Sequence, residues 1–162
     1  MKTAHKQYLS SKEKGFTLIE LLVVITIIAA LAITVFVALN PAGRLSNARD
    51  ARRTADVDTM LTAIHASIVD NKGTAPAGLS TVEQQLGTAT TGCAIATGGC
   101  TVTAVACLDL TTPLVKYLKS IPLDPKTGTA GITGYDAVQD SNGIVTIRAC
   151  GTEGTNNISS SR

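Results

Sequence analysis

The sequence predicts an α+β chain in which a long N-terminal α-helical stem packs on a small antiparallel β-sheet head. Three observations lead there. An apolar run from Phe16 to Leu39 is broken by one charge, Glu20. Beyond it, Val57, Leu61, Ile64 and Ile68 fall at spacings of four, three and four, with Met60 beside them, which lines one face of a helix. Near the C-terminus, Tyr135 to Asp140 and Ile144 to Cys150 flank Ser141-Asn142-Gly143, the pattern of a hairpin.

The first fifteen residues are polar and hold Lys2, Lys6, Lys12 and Lys14 against Glu13. Such a basic leader is retained on the cytoplasmic side of a membrane. The 24 positions from Phe16 to Leu39 contain only Thr17, Thr26 and Thr34 as further polar residues. At about 1.5 Å per residue the run spans roughly 36 Å, enough to cross a hydrocarbon core of about 30 Å. A carboxylate five positions into that run costs a few kcal/mol in lipid and marks a functional position. A secretory signal cut after Ala32, at Ala30-Leu31-Ala32, is one competing reading, and a plain single-pass anchor another. An ordinary signal has no use for Glu20, and its apolar stretch ends well before Leu39.

Lys14-Gly15-Phe16-Thr17-Leu18-Ile19-Glu20, with a basic leader before it and an unbroken apolar helix after it, resembles the prepilin signature of type IV pilins and pseudopilins. The resemblance implies cleavage between Gly15 and Phe16 by a prepilin peptidase that also methylates Phe16. It makes Glu20 the family's assembly glutamate, facing the Phe16 amine of a neighbouring subunit. It further implies a single-pass precursor in a prokaryotic cytoplasmic (inner) membrane that leaves lipid for a homo-oligomeric filament. Energy then comes from an assembly ATPase acting through an inner-membrane platform. The function implied is that of a structural subunit of a cell-surface type IV pilus serving adhesion, motility or uptake. The alternative is a pseudopilin of a type II secretion or DNA-uptake system.

The organisation expected is a leader at 1–15, a transmembrane and filament-core helix at 16–39, and an amphipathic half of the stem at 40–73. A variable connecting region at 74–110 and a β-rich head at 111–162 follow. Asn40-Pro41-Ala42-Gly43 should kink or melt the helix locally, since proline lacks an amide donor. Arg44, Arg49, Asp50, Arg52, Arg53, Asp56 and Asp58 read as a solvated face, with Arg52 and Asp56 spaced for an i,i+4 pair. His65 has no partner at ligand spacing. Asn71-Lys72-Gly73 ends the stem. Ser80-Thr81-Val82-Glu83 fits a capping box opening a short helix to about Leu86. Cys93 to Cys100 reads as two short strands around Gly98-Gly99, continuing to Cys107. Thr112-Pro113 opens another short helix with Leu114 and Leu118 on one face. The tail from Gly151 to Arg162 is polar and reads as loose.

Four cysteines beyond the apolar run indicate two disulfides in an oxidising compartment. The favoured pairing is Cys93 with Cys100, flanking a tight turn, and Cys107 with Cys150; the absence of a Cys-x2-Cys knuckle disfavours zinc. Asp124, Asp136 and Asp140 are the carboxylates available to a calcium ion, because the Asp-Pro turn before Gly-Tyr resembles the calcium loop of major pseudopilins. They do not form a dense oxygen-ligand loop, and turn chemistry explains them better. No cofactor is expected. The formal charge of +2 hides a mature chain of −1, since the leader takes four basic and one acidic residue with it. With only Phe16, Phe36, Tyr117 and Tyr135 aromatic after cleavage, no nucleic-acid surface is indicated. Nor is there a nucleophile set, a phosphate-cradling loop or a paired carboxylate in a cleft-like context, so no enzyme is expected.

Overall fold

The computed structural model describes residues 15–154 and 156–162. Apart from Gly15, the expected leader lies outside the described residues. The chain has an α+β arrangement of N-terminal helices and one small antiparallel sheet, and it divides into two compact units after Pro41.

In the first unit, helix α1 runs Leu18–Leu39 and buries none of its residues. Its ends follow from local chemistry. Thr17 caps the start, and Asn40 ends it in a left-handed conformation (φ 40°) while donating its N–H to the Val37 carbonyl. Asparagine tolerates that conformation better than a β-branched residue. Thr26 and Thr34 return their hydroxyls to Val23 and Leu31 carbonyls, which satisfies the polar atoms of an otherwise apolar helix without outside partners.

Helix α2 covers Pro41–Asp70, with proline at the first helical position, where its missing N–H costs nothing. In the second unit its apolar face is the expected one. Val57, Met60, Leu61 and Ile64 are buried, and Ile68 is packed at the margin. The helix stops as expected, with Lys72 and Gly73 both at positive φ and the Gly73 N–H donating to the Ile68 carbonyl.

The sheet runs β1 (Gln84–Gln85), β2 (Tyr135–Gln139), β3 (Val145–Ala149) and β4 (Ile158–Ser161) in that spatial order, antiparallel throughout. The β2–β3 hairpin is the expected one, and Asp140 organises its turn by accepting from the Asn142 and Ile144 N–H groups. Tyr135, Ala137, Val145, Ile147 and Ala149 join the α2 face, Leu86, Leu110 and Leu114 in one core. Asp136 and Arg148, paired in register, lie on the other face by the two-residue alternation of strands. Cys100, Val102 and Cys150 form a second small cluster there, with Ile95 and Ala104 against it.

Several local expectations are corrected. The segment after Ser80 is not a helix: Glu83 turns to the Thr101 N–H and hydroxyl, and the next two residues pair with β2. Residues after Thr112 make single hydrogen-bonded turns, in which Leu114 and Tyr117 donate back to Leu110 and Leu114. Leu114 is nonetheless buried as expected. The tail is not loose, because Ile158–Ser161 adds the fourth strand.

The disulfide pairing is also corrected, to Cys93–Cys107 and Cys100–Cys150. Ile95 and Val102 exchange both backbone hydrogen bonds, and the Cys93 N–H donates to the Val105 carbonyl. This places Cys93 and Cys107 at the base of one loop and Cys100 beyond its tip. The tip rests on the end of β3, where Thr97 donates to the Cys150 carbonyl. Gly98 is required there: it has φ +61°, and a Cβ would lie 2.6 Å from the Cys150 carbonyl oxygen. Closing loops of these lengths removes about 3 and about 4 kcal/mol of unfolded-state entropy in the chain-entropy view.

Candidate functional site

Glu20 sits at the third helical position of α1 and completes a reciprocal capping box. Thr17 donates its N–H and hydroxyl to Glu20 Oε2 at 2.9 and 2.7 Å, while Glu20 donates its N–H to the Thr17 hydroxyl at 3.3 Å. The carboxylate therefore closes the helix start beside the positive end of the helix dipole, where a negative charge is favoured. The sequence reading gave Glu20 only an intermolecular role; Thr17-x-x-Glu20 was the available signal for this local one. Gly15 and Phe16 precede the cap in exposed, non-helical chain. Phe16 before the cap and Leu18 and Phe36 after it are at least 66 % exposed, and the helix is long and apolar enough to span a membrane.

Residues 10–36 match the family model described as the prokaryotic N-terminal methylation motif, the signature of type IV prepilins and pseudopilins. No curated protein and no solved structure matches the chain. The motif and the α+β arrangement together support a type IV pilin-like or pseudopilin protein in general, with an apolar helix that fits a membrane-anchored precursor.

In the second unit, Arg44, Arg52 and Asp58 on α2 are exposed as expected, but Arg49, Asp50, Arg53 and Asp56 are not free in solvent and build the helix–head contact. Arg53 is fully buried and holds Asp124 through Nε at 2.6 Å and Nη2 at 3.1 Å, while Nη1 reaches Asp50 at 2.8 Å. Asp124 also accepts from the Lys126 and Thr127 N–H groups. Burial alone would raise its pKa, but the guanidinium and these donors hold the carboxyl below the usual range. Gly151 leaves room for it, since a Cβ there would lie 2.7 Å from Asp124 Oδ2. Asp50 takes the Glu153 and Gly154 N–H groups, Arg49 and Lys126 pair with Glu153, and Tyr135 donates to Asp56 at 2.8 Å. Arg52 and Asp56 form the expected pair at 3.8 Å, with Arg52 largely exposed.

The three calcium candidates are not gathered at one point. Asp124 is taken by Arg53, Asp140 by its own turn, and Asp136 by Arg148. Among the described residues, the one trio of metal-type side chains is Cys100, Asp136 and Cys150, and both of its sulfurs are already bonded to each other. His65, on α2, joins no such trio.

A paired carboxylate that sequence reading did not find lies at Glu83 and Asp136. Arg148 Nη1 reaches Glu83 at 2.9 Å and Asp136 at 3.3 Å, so two acids share one cation. Burial, then the neighbouring Glu83, pushes the Asp136 carboxyl up to about 8. Burial opposes Glu83 ionisation, yet hydrogen bonds from Asp136 and Thr101 and the charge of Arg148 bring it down to about 2. The pair thus holds one proton at neutral pH. Between about pH 4 and pH 8 the folded chain binds a proton at Asp136 that the unfolded chain has lost, so this group's contribution to stability falls as pH rises through that window. Glu83 has the opposite sign and withdraws stability only as pH falls below about 4.5. Asp136→Asn, which keeps a donor toward Glu83, is expected to abolish the decline in melting temperature between pH 5 and 8.5. Equal slopes in both proteins would contradict the shared proton.

Proposed function

We propose that the chain is the structural subunit of a type IV pilus-like filament, processed between Gly15 and Phe16, N-methylated at Phe16 and assembled from the membrane. The observation that carries this reading is the methylation motif seated on a wholly exposed apolar helix. An exposed apolar helix is stable in lipid or against copies of itself, and in a filament each added subunit removes that surface from lipid contact. The Phe16 amine remains cationic after methylation, and Glu20 of the adjoining subunit offsets its burial, which fixes axial register by charge. The partners in this account are a prepilin peptidase, an assembly ATPase with its inner-membrane platform, and lipid before assembly. The subunit itself performs no chemistry on a substrate. A pseudopilin of a secretion or DNA-uptake machine uses the same stem in a short envelope-bound filament. Shearing cells and imaging the released fraction separates the two: fibres containing this chain are expected, and complete retention in the envelope would favour the pseudopilin.

A further inference from the structure

The second unit carries a hollow of about 470 Å³ between Arg52 of α2 and residues 118–123 of the head. Leu110, Leu118, Ile121 and Leu123 give it an apolar lining, and Arg52 and Lys119 give it two cations. Neither cation is tightly paired within the chain. Arg52 reaches Asp56 only at 3.8 Å with 65 % of its side chain exposed, and among the described residues Lys119 pairs with no acid. The carboxylate in the lining, Asp109, is turned to its own loop, where it accepts from the Thr111 N–H and hydroxyl at 2.9 and 2.6 Å. An apolar lining beside uncompensated positive charge suits an occupant that brings an apolar side chain and a carboxylate together.

The head of the same chain presents such a pair. Asp140 and Ile144 close the β2–β3 turn, and Ile144 stays 44 % exposed. Oδ1 of Asp140 holds the turn, accepting from the Asn142 and Ile144 N–H groups at 2.8 Å each, while Oδ2 has only the Asn142 amide at 3.5 Å. Asparagine holds such a turn as well, so the charge is surplus to it. The N–H donors, that of Ile144 foremost, keep the carboxyl below its usual range and therefore ionised at neutral pH. The other exposed apolar side chains of this unit lack a free acid. Asp70 beside Val69 accepts from Tyr117, and Glu83 beside Val82 is held by Arg148 and Thr101. Leu45 and Val115 have no carboxylate within four residues, that of Val105 is Asp109, and Leu123 lines the hollow itself.

We propose that the Asp140–Ile144 turn of one subunit seats in the Arg52–Lys119 hollow of the next, an inference that rests on the filament reading. Ile144 enters the apolar lining, and Asp140 meets Lys119 and Arg52. Hollow and turn lie beyond opposite ends of β2, since Thr133 lines the one and Asp140 opens the other. The five residues of that strand span about 17 Å. Complementary patches at opposite ends of one head make a head-to-tail contact, which propagates as an open polymer rather than closing as a two-fold dimer.

A carbodiimide joins a carboxylate to an amine only where the two touch, so it tests the contact on the unaltered protein. Whole cells are treated, the sheared and envelope fractions are imaged and separated by size, and linked peptides are sequenced by mass spectrometry. A link from Asp140 to Lys119 is expected in the dimer and larger bands and not in the monomer band. Lys119→Arg should keep filament yield while losing the link, because a guanidinium pairs with a carboxylate but is not coupled to it. Lys119→Glu, Asp140→Asn and Ile144→Thr should each lower filament yield by about fivefold or more. Their melting temperatures should match the parent, because these side chains are exposed and Asn keeps the turn acceptor. Filaments in which Lys119 is linked to other carboxylates, to other proteins or to nothing would overturn this contact and leave the filament reading standing, as would a yield unmoved by Lys119→Glu. Absence of filaments from both fractions of the parent would overturn the two together.

Discussion

Cells carrying Glu20→Gln are expected to cleave and insert the subunit normally and to yield almost no filament. The choice of glutamine matters because Glu20 has two jobs. Within its own chain it completes the Thr17 capping box, and glutamine retains that reach-back to the backbone. Between subunits it is proposed to meet the Phe16 amine, and glutamine removes the charge that does so. An uncompensated cation in an apolar filament core costs several kcal/mol at each subunit, and that cost recurs along the whole assembly. Glu20→Ala removes both roles and by itself does not distinguish them. The measurement is filament yield in the sheared fraction against processed subunit in the membrane fraction. If Glu20→Gln assembles while Glu20→Ala does not, the glutamate acts through its cap alone.

Arg53→Met is expected to destabilise the second unit by about 3–5 kcal/mol, because it leaves Asp124 buried with no cationic partner. For a unit of this size the melting temperature should fall by about 10 °C or more. Asp124→Leu should also destabilise the unit, because the guanidinium loses two of its three carboxylate contacts and keeps only Asp50 at 2.8 Å. The double variant should be less destabilised than either single one, since an apolar pair has no charge to desolvate. Thermal unfolding of the four proteins in the same detergent measures this directly. A loss below about 1 kcal/mol for Arg53→Met would mean that the pair contributes no more than a surface ion pair. Processing between Gly15 and Phe16 should be unaffected, because that site lies in the other compact unit.

Much of this was legible in sequence wherever a single element carries its own signal. The period of Val57, Leu61, Ile64 and Ile68, the Asp140 turn and the Gly15 to Glu20 motif are local patterns, and each appears in the structure or the family match as read. Long-range polar partners were not legible. Arg53 looks like any helix-surface cation until Asp124, 71 residues later, is folded against it. β1 and β4, Gln84–Gln85 and Ile158–Ser161, hold too few apolar residues to show strand alternation, and they are strands because β2 and β3 offer edges to pair with. The cysteine pairing failed for a similar reason. Seven-residue spacing suggested a bridge across the Gly98-Gly99 turn, whereas the Ile95–Val102 pairing sends Cys100 outward to the end of β3. The Glu83 and Asp136 pair is 53 residues apart in sequence and has no local motif at all.

The central claim is that the chain is trimmed to a methylated phenylalanine and then exchanges lipid for copies of itself. The N-terminal peptide of the mature protein, identified by mass spectrometry, tests it most directly. N-methyl-Phe16 followed by Thr17-Leu18-Ile19-Glu20 is the predicted result, and a mature chain beginning at Ile33, or one still carrying residues 1–15, would contradict it.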